Sequence, residues 1–291
     1  MTAKVLSADA AVREIRARAA GGRVFLTTGP AEPLCLHEAW RHAPETADGL
    51  TFCGLFIPGV NRLDYSALHP GARMAVFMLS PDWRDGFTAD RVKLRPRHYS
   101  DSFATLVREG ADVGVFQVSP PNAQGRCSFG PAADSGPAML QRVGWRLGVF
   151  NRATPVLPGA PSVNADAFDA VLETDCPLAD LAAGPPPGAV AEQIATHAAA
   201  FVEDGATVQT GIGKLPLAAT LALRGRRNLR IHSGLIAQPH LDLVSAGAVT
   251  LQDGAITTGI AVGDAPFYAA LRDIPIDFVG VDATHSHARI A

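Results

Sequence analysis

Two distant segments of this chain follow one plan, and that repetition restricts the folds open to it. Gly22-Arg23-Val24-Phe25-Leu26-Thr27-Thr28-Gly29 is a short β-branched and aromatic run that stops at glycine. Pro33 and the apolar-periodic stretch Leu34 to Trp40 come next. About 180 residues later, Gly205-Ala206-Thr207-Val208-Gln209-Thr210-Gly211-Ile212-Gly213 repeats the plan, with Pro216 and then Leu217 to Leu223. Each segment reads as a buried strand, a Thr-Gly turn, a proline near the first helical turn and an apolar-periodic helix. One such unit is commonplace. Two with the same punctuation point to duplication, and so to an α/β protein of two similar open α/β domains, with mostly parallel or mixed sheets covered by helices.

The intervening sequence agrees. Strands are expected at Met74 to Leu79, Ala111 to Val118, Leu147 to Phe150 and Ala170 to Glu173, with helices at the amphipathic, Arg-bearing N-terminus and at Phe103 to Glu109. Strands alternating with helices argue for a parallel sheet covered on its faces. Ala182 to Gly188, AAGPPPG, sustains neither element and reads as a linker, dividing the chain into residues 1–184 and 185–291. Beyond it, Ala189 to Glu203 reads as a helix with Ile194, Ala198, Phe201 and Val202 facing inward.

Composition removes several functional classes. With 47% hydrophobic residues in 291, the chain is no candidate for disorder. A net charge of −3 with no basic block argues against nucleic-acid binding. No apolar run approaches the roughly 20 residues that span a bilayer, and the N-terminus has no signal-peptide core, so a cytoplasmic protein is expected. Cys35, Cys53, Cys127 and Cys176 form no CxxC pair, and nine histidines show no HExxH. No metal site is therefore expected, and the thiols read as reduced and mostly buried.

In open α/β sheets ligands sit at the carboxyl ends of strands. Four loops qualify: Thr28-Gly29-Pro30, Ser119 to Gly130, Thr210-Gly211-Ile212-Gly213-Lys214, and His232-Ser233-Gly234 after a strand expected at Asn228 to Ile231. The glycines of the third let backbone approach a phosphate or carbonyl oxygen, although such a turn equally serves a tight βα connection without a ligand. Lys214 suits a phosphate or plain solvation. In the second loop Ser119, Asn122 and Ser128 offer hydrogen bonds, while Cys127 lacks a nearby base and reads as core. His232 suits a structural role or catalysis. His98, Asp101, His240, His285 and His287 have no partner at recognisable spacing and read as surface residues.

Three of these segments together resemble the acetyl-CoA hydrolase/transferase family, which includes acetate and 4-hydroxybutyrate CoA-transferases. Val118 to Gly130 (VSPPNAQGRCSFG) is similar to VSPPDxHGxCSLG. Asp204 to Gly213 with Pro216 is similar to DGATLQxGIGxxPxA, and Ile231-His232-Ser233 with Asp242-Leu243-Val244 and Gly247 to IHTEMxxDxxxDLxxxG. The resemblance runs from about Val24 to Ala291. It implies two similar α/β domains around a CoA-thioester cleft. Ser119, Asn122, Ser128, Thr210, Gly211, Ile212, Gly213 and Lys214 would face the ligand, and the catalytic segment would be His232-Ser233-Gly234. It also implies coenzyme A thioester as substrate, no permanently bound cofactor, a small carboxylate as acceptor, and a homodimer or complementary subunit.

The family's nucleophile is a glutamate after the His-Ser/Thr pair, and here Gly234 stands at that position. The family pattern also continues past the equivalent of Ala291. Two functional readings follow from the resemblance and this departure. One is a CoA-transferase or acyl-CoA hydrolase of carboxylic-acid metabolism, including acetate, with water in the space of the glutamate. The other is a non-catalytic CoA-ester-binding subunit completed by another chain.

Overall fold

The computed structural model describes residues 3–19, 21–181 and 187–290. The domain boundary expected at residues 184/185 and residues 182–186 of the expected linker lie outside the described residues. Fourteen strands are present among those described: β1 (Lys4–Val5), β2 (Arg23–Leu26), β3 (Thr51–Cys53), β4 (Arg73–Val76), β5 (Val92–Leu94), β6 (Ala111–Val118), β7 (Arg126–Ser128), β8 (Val143–Asn151), β9 (Ser162–Asn164), β10 (Ala170–Thr174), β11 (Thr207–Val208), β12 (Arg230–Ile236), β13 (Ile256–Ala261) and β14 (Ile276–Phe278). Eight form one parallel sheet in the order β1-β10-β8-β6-β2-β3-β4-β5, and four form a second parallel sheet in the order β11-β12-β13-β14. β7 and β9 make a short antiparallel ribbon.

The repeat is visible in the topology. Strands β2-β3-β4-β5 and β11-β12-β13-β14 each advance in sequence order as parallel neighbours. In the first sheet β6 pairs with the other side of β2, with Val24 opposite Val113, and extends the sheet. Both faces of that sheet are covered. Val24, Leu26, Val113 and Val115 pack with Val12, Ile15, Leu36 and Trp40 of the helices Ala8–Ala19 and Leu34–His42. Phe25, Phe116 and Val118 pack on the opposite side with Leu106 and Met139. Alternate residues of one strand thus enter two apolar layers, which is why these strands read as continuous hydrophobic runs.

The second core gathers Ile231, Ile256 and Ile276 with Leu243 and Phe267, and it also takes in Ala133, Leu157 and Leu178 from before the expected boundary. The helix expected at Ala189 to Glu203 ends at Ala199, and of the four residues expected to face inward three do not. Ile194 is 46% and Phe201 89% exposed, and Ala198 is exposed; only Val202 touches the core. Ala195 and Ala199 are the buried positions, because this helix packs closely on the helix Lys214–Ala222 and small side chains allow that approach.

One buried polar cluster ties the first Thr-Gly turn to the centre of the molecule. The Asn61 side chain accepts from the amides of Gly29 and Ile57 (2.9 Å each) and donates to the Gly29 carbonyl (3.0 Å) and to one Glu32 oxygen (3.1 Å). The other Glu32 oxygen has no partner, and the buried, equally unpaired Tyr65 hydroxyl stands beside it. Burial pushes the Glu32 carboxyl up from 4.5 to about 7 despite the Asn61 hydrogen bond. A raised carboxyl pKa means the native state holds this proton longer than the unfolded chain. Its contribution is fully present below pH 4.5 and is lost as pH rises through about 7. Glu32→Gln should therefore exceed the parent in stability above pH 8 by on the order of 3 kcal/mol and match it near pH 4.5. Urea unfolding at the two pH values measures this, and a pH-independent difference contradicts it.

Candidate functional site

The second Thr-Gly turn is built for an exposed row of amides. β11 ends at Val208, and the helix Lys214–Ala222 starts after Gly213, whose φ of +125° is open to glycine and strained for other residues. Among the described residues the amides of Gly211, Ile212 and Gly213 have no protein acceptor, and all three residues are exposed. Two buried side chains hold the turn from behind. The Ser233 hydroxyl lies 3.0 Å from the Thr210 carbonyl and 2.9 Å from the Leu235 carbonyl. His240 Nδ1 accepts from the Ala237 amide at 3.2 Å, so in the neutral ring Nε2–H donates to the Thr210 hydroxyl at 2.9 Å. Burial pushes the His240 pKa down to about 4, which keeps the ring neutral.

His232-Ser233-Gly234-Leu235 lies inside β12 and not after a strand ending at Ile231, because Leu235 and Ile236 continue the pairing with β13. The register holds from Ile231 opposite Ile256 to Ser233 opposite Thr258 and resumes at Leu235 opposite Ile260. The interruption falls at Gly234 and Gly259. A Cβ on Gly259 would stand 3.2 Å from the Gly234 carbonyl oxygen. Gly234 itself does not adopt positive φ, so its backbone would accept a side chain. The obstacle is His285. A Cβ on Gly234 would meet His285 Cε1 at 2.5 Å and Nε2 at 3.1 Å. The space in which a side chain at position 234 would start is occupied by an imidazole.

His285 follows the short helix Val281–Thr284 and is braced on several sides. Its Nδ1 lies 2.9 Å from the Thr284 hydroxyl, and its ring lies against Tyr99 with centroids 4.7 Å apart. The Tyr99 hydroxyl donates to Asp134 at 3.1 Å, and the Ser135 amide donates to the other Asp134 oxygen at 2.7 Å. Burial pushes Asp134 up to about 6 against those hydrogen bonds. His232 places Nε2 3.1 Å from the Thr284 carbonyl. Burial, helped by His232, lowers the His285 pKa. Gly234, Leu235, Tyr99 and His285 line a cleft of about 660 Å³ together with Thr210, Gly211, Ile212, Ile57 and Ile260. Lys214 opens on the other side of that turn, into a hollow of about 440 Å³ with Gln238 and His240.

The Ser119 to Gly130 loop is placed elsewhere. Ser119 faces a third hollow, of about 1010 Å³, with Arg152, Asp264 and Arg272. This hollow and the one beside Lys214 share Asp180, Gly263 and Asp264 along their walls, so Ser119 and Lys214 border adjoining spaces. The polar side chains of the loop serve the loop itself. Asn122 accepts from the amides of Gln124 and Arg126, Ser119 from Ser128, and Ser128 from Gly130.

Of the residues expected at the surface, His98, Asp101 and His287 are exposed. His240, only 8% exposed, and His285, half-buried in the cleft, are not. The sequence held one signal for His240, since it lies one helical turn into an apolar segment. It held none for His285, Tyr99 or Asp134, which meet only through tertiary packing.

Known proteins place this architecture. No family model matches the chain. The chain is 28% identical over 287 residues to the 4-hydroxybutyrate coenzyme A transferase of Clostridium kluyveri, covering 94% of this chain and 64% of that protein. It is 29% identical over 187 residues to the succinyl-CoA:acetate/propanoyl-CoA:succinate CoA transferase of Fasciola hepatica, covering 62% of this chain and 39% of that one. Among solved structures, RipA from Yersinia pestis superposes with a TM-score of 0.83 at 24% identity, over 99% of this chain and 70% of that one. The 4-hydroxybutyrate CoA-transferase of Porphyromonas gingivalis gives 0.77 at 22% identity, over 99% and 70%. The fold is thus that of the CoA-transferases, and the curated relatives are CoA-transferases. The chain spans just under two thirds of the length of the clostridial relative.

The Gly234–His285 contact has a measurable consequence. Gly234→Ala should destabilise the protein by on the order of 1–3 kcal/mol through overpacking, and the penalty should shrink by at least half in a His285→Ala background. Thermal or urea unfolding of the four proteins of the cycle measures the coupling, and additive effects contradict the contact.

Proposed function

We propose that the chain binds an acyl-CoA thioester with its carbonyl in the cleft between Thr210–Gly213 and His285, and acts on the carbon–sulfur bond. The observation that carries this reading is that Gly211 and Ile212, whose amides have no acceptor among the described residues, line one cleft with Gly234 and His285, in a chain whose relatives are CoA-transferases. Donors fixed in this way stabilise negative charge that develops on a thioester oxygen, without reorganising as it forms. A small carboxylate is the acid component of the reaction, and coenzyme A enters as substrate and not as a resident cofactor. Lys214 offers one cation for a phosphate of the CoA ester, beside a partly apolar hollow that also carries Asp180 and Asp264.

The same proposal includes a two-domain division near residues 184/185, supported by the two sheets, and an assembled form. A homodimer or a complementary subunit would cover the exposed Val190, Ile194 and Phe201. A cytoplasmic setting is supported by four free cysteines. No helix among the described residues is long and apolar enough to cross a membrane.

Calorimetric titration with acetyl-, butyryl- and succinyl-CoA tests the reading, with saturable binding of at least one expected and no binding of any overturning it. Because position 234 carries no carboxylate and its space is filled, mass spectrometry after incubation should show no covalent CoA adduct. An adduct mapped to a cleft carboxylate would contradict the placement of the chemistry.

A further inference from the structure

We propose that His285 is the general base of a thioester hydrolysis, and that its imidazole, standing where a nucleophilic side chain at position 234 would be, turns this site from acyl transfer to water. The inference rests on the acyl-CoA reading above and goes beyond it by naming the reaction and the residue. Three observations carry it. The ring occupies the volume over Gly234, with Nε2 3.1 Å from the site of a Cβ there, so neither a carboxylate nor a covalent glutamyl thioester has room. The ring also lines the same cleft as Gly211 and Ile212, which brings a base and residues with free amides to one space.

The third observation is the bracing. The Thr284 hydroxyl lies 3.4 Å from the Gly280 carbonyl, to which it donates, so it can accept Nδ1–H from His285 at 2.9 Å. That tautomer leaves Nε2 free to accept a proton, on a ring that lines the cleft beside Gly234. The groups packed around the ring are His232 from β12, Tyr99 from the helix Tyr99–Glu109, and Asp134 behind the Tyr99 hydroxyl. Among these Asp134 carries the sole carboxylate, and its two oxygens are held by the Tyr99 hydroxyl and the Ser135 amide. Burial and His232 both disfavour imidazolium, so the base is in its free form at neutral pH.

The step balances without further reagents. A water oxygen bonds to the thioester carbonyl carbon while one of its protons passes to His285 Nε2. The carbonyl electron pair moves to oxygen, where the Gly211 and Ile212 amides receive it. Collapse of this intermediate breaks the carbon–sulfur bond. The departing CoA thiolate takes the proton back from the imidazolium, leaving a free acid and a free thiol.

The experiment is thiol release from acetyl-, butyryl- and succinyl-CoA by the parent chain, His285→Ala and His285→Gln, with binding of each ester measured by calorimetry in parallel. The parent should release thiol. Both variants should lose about 100-fold or more in kcat while binding the ester within about threefold of the parent. The parent's kcat should fall on the acid side with an apparent pKa below the ordinary histidine value, and that limb should vanish in His285→Gln. Failure of the parent to bind any ester overturns the acyl-CoA reading itself. Binding without turnover by the parent, turnover that survives in both variants, or an acid limb that persists in His285→Gln overturns the role of His285 alone.

Discussion

Three backbone hydrogen bonds hold the site together. The Ala133 amide donates to the Gly259 carbonyl (2.9 Å), the Ala261 amide to the Pro131 carbonyl (2.8 Å), and the Val281 amide to the Asp134 carbonyl (3.0 Å). They lay the segment Pro131 to Asp134, which follows the ribbon strand β7, along β13 of the second sheet. Each bond is worth only about 1 kcal/mol net, yet leaving buried amides unpaired costs more, so the docking is firmly specified. Through it Asp134 reaches Tyr99, Tyr99 reaches His285, and His285 settles over Gly234. The contact of Ile260 with Gly29, and its packing with Ile57 and Val60, add an apolar seam beside the same strand.

Desolvation then sets the chemistry. Glu32 and Asp134 are pushed toward their neutral forms, and so are the buried or half-buried rings of His240 and His285. The interior has little capacity to sustain charge, which makes a free carboxylate nucleophile costly here and a neutral imidazole inexpensive. The donors that would meet a developing oxyanion are backbone amides, exposed and without a protein acceptor among the described residues.

Much of the fold was legible in the residues. The paired Thr-Gly turns foretold the two runs of sequential parallel strands, and Ala111 to Val118 has the bounds read from its apolar run. Patterns of that kind are local, because a strand buried on both faces must be apolar throughout. The helix Ala189–Ala199 misled, since its large apolar residues face outward and its alanines make the contact. The loop of residues 119–130 showed a recognisable motif whose polar side chains turn out to hold the loop. The absence of a side chain at position 234 was plain in the sequence. What fills the space was not, because His285 and Tyr99 lie 186 residues apart and neither has a neighbouring signal. The close pairing of the two strands there constrains position 259, where a Cβ would stand 3.2 Å from the Gly234 carbonyl oxygen.

The account claims that the thioester carbonyl lies between the Gly211–Ile212 amides and the His285 ring. A crystal structure with a non-hydrolysable thioether analogue of acetyl-CoA tests this most directly. The account predicts the analogue's carbonyl oxygen within hydrogen-bonding distance of those amides, and its carbonyl carbon facing His285 Nε2 across the space of one water molecule. An analogue whose acyl end lies instead in the hollow beside Ser119 and Arg152, with the cleft over Gly234 empty, would contradict it.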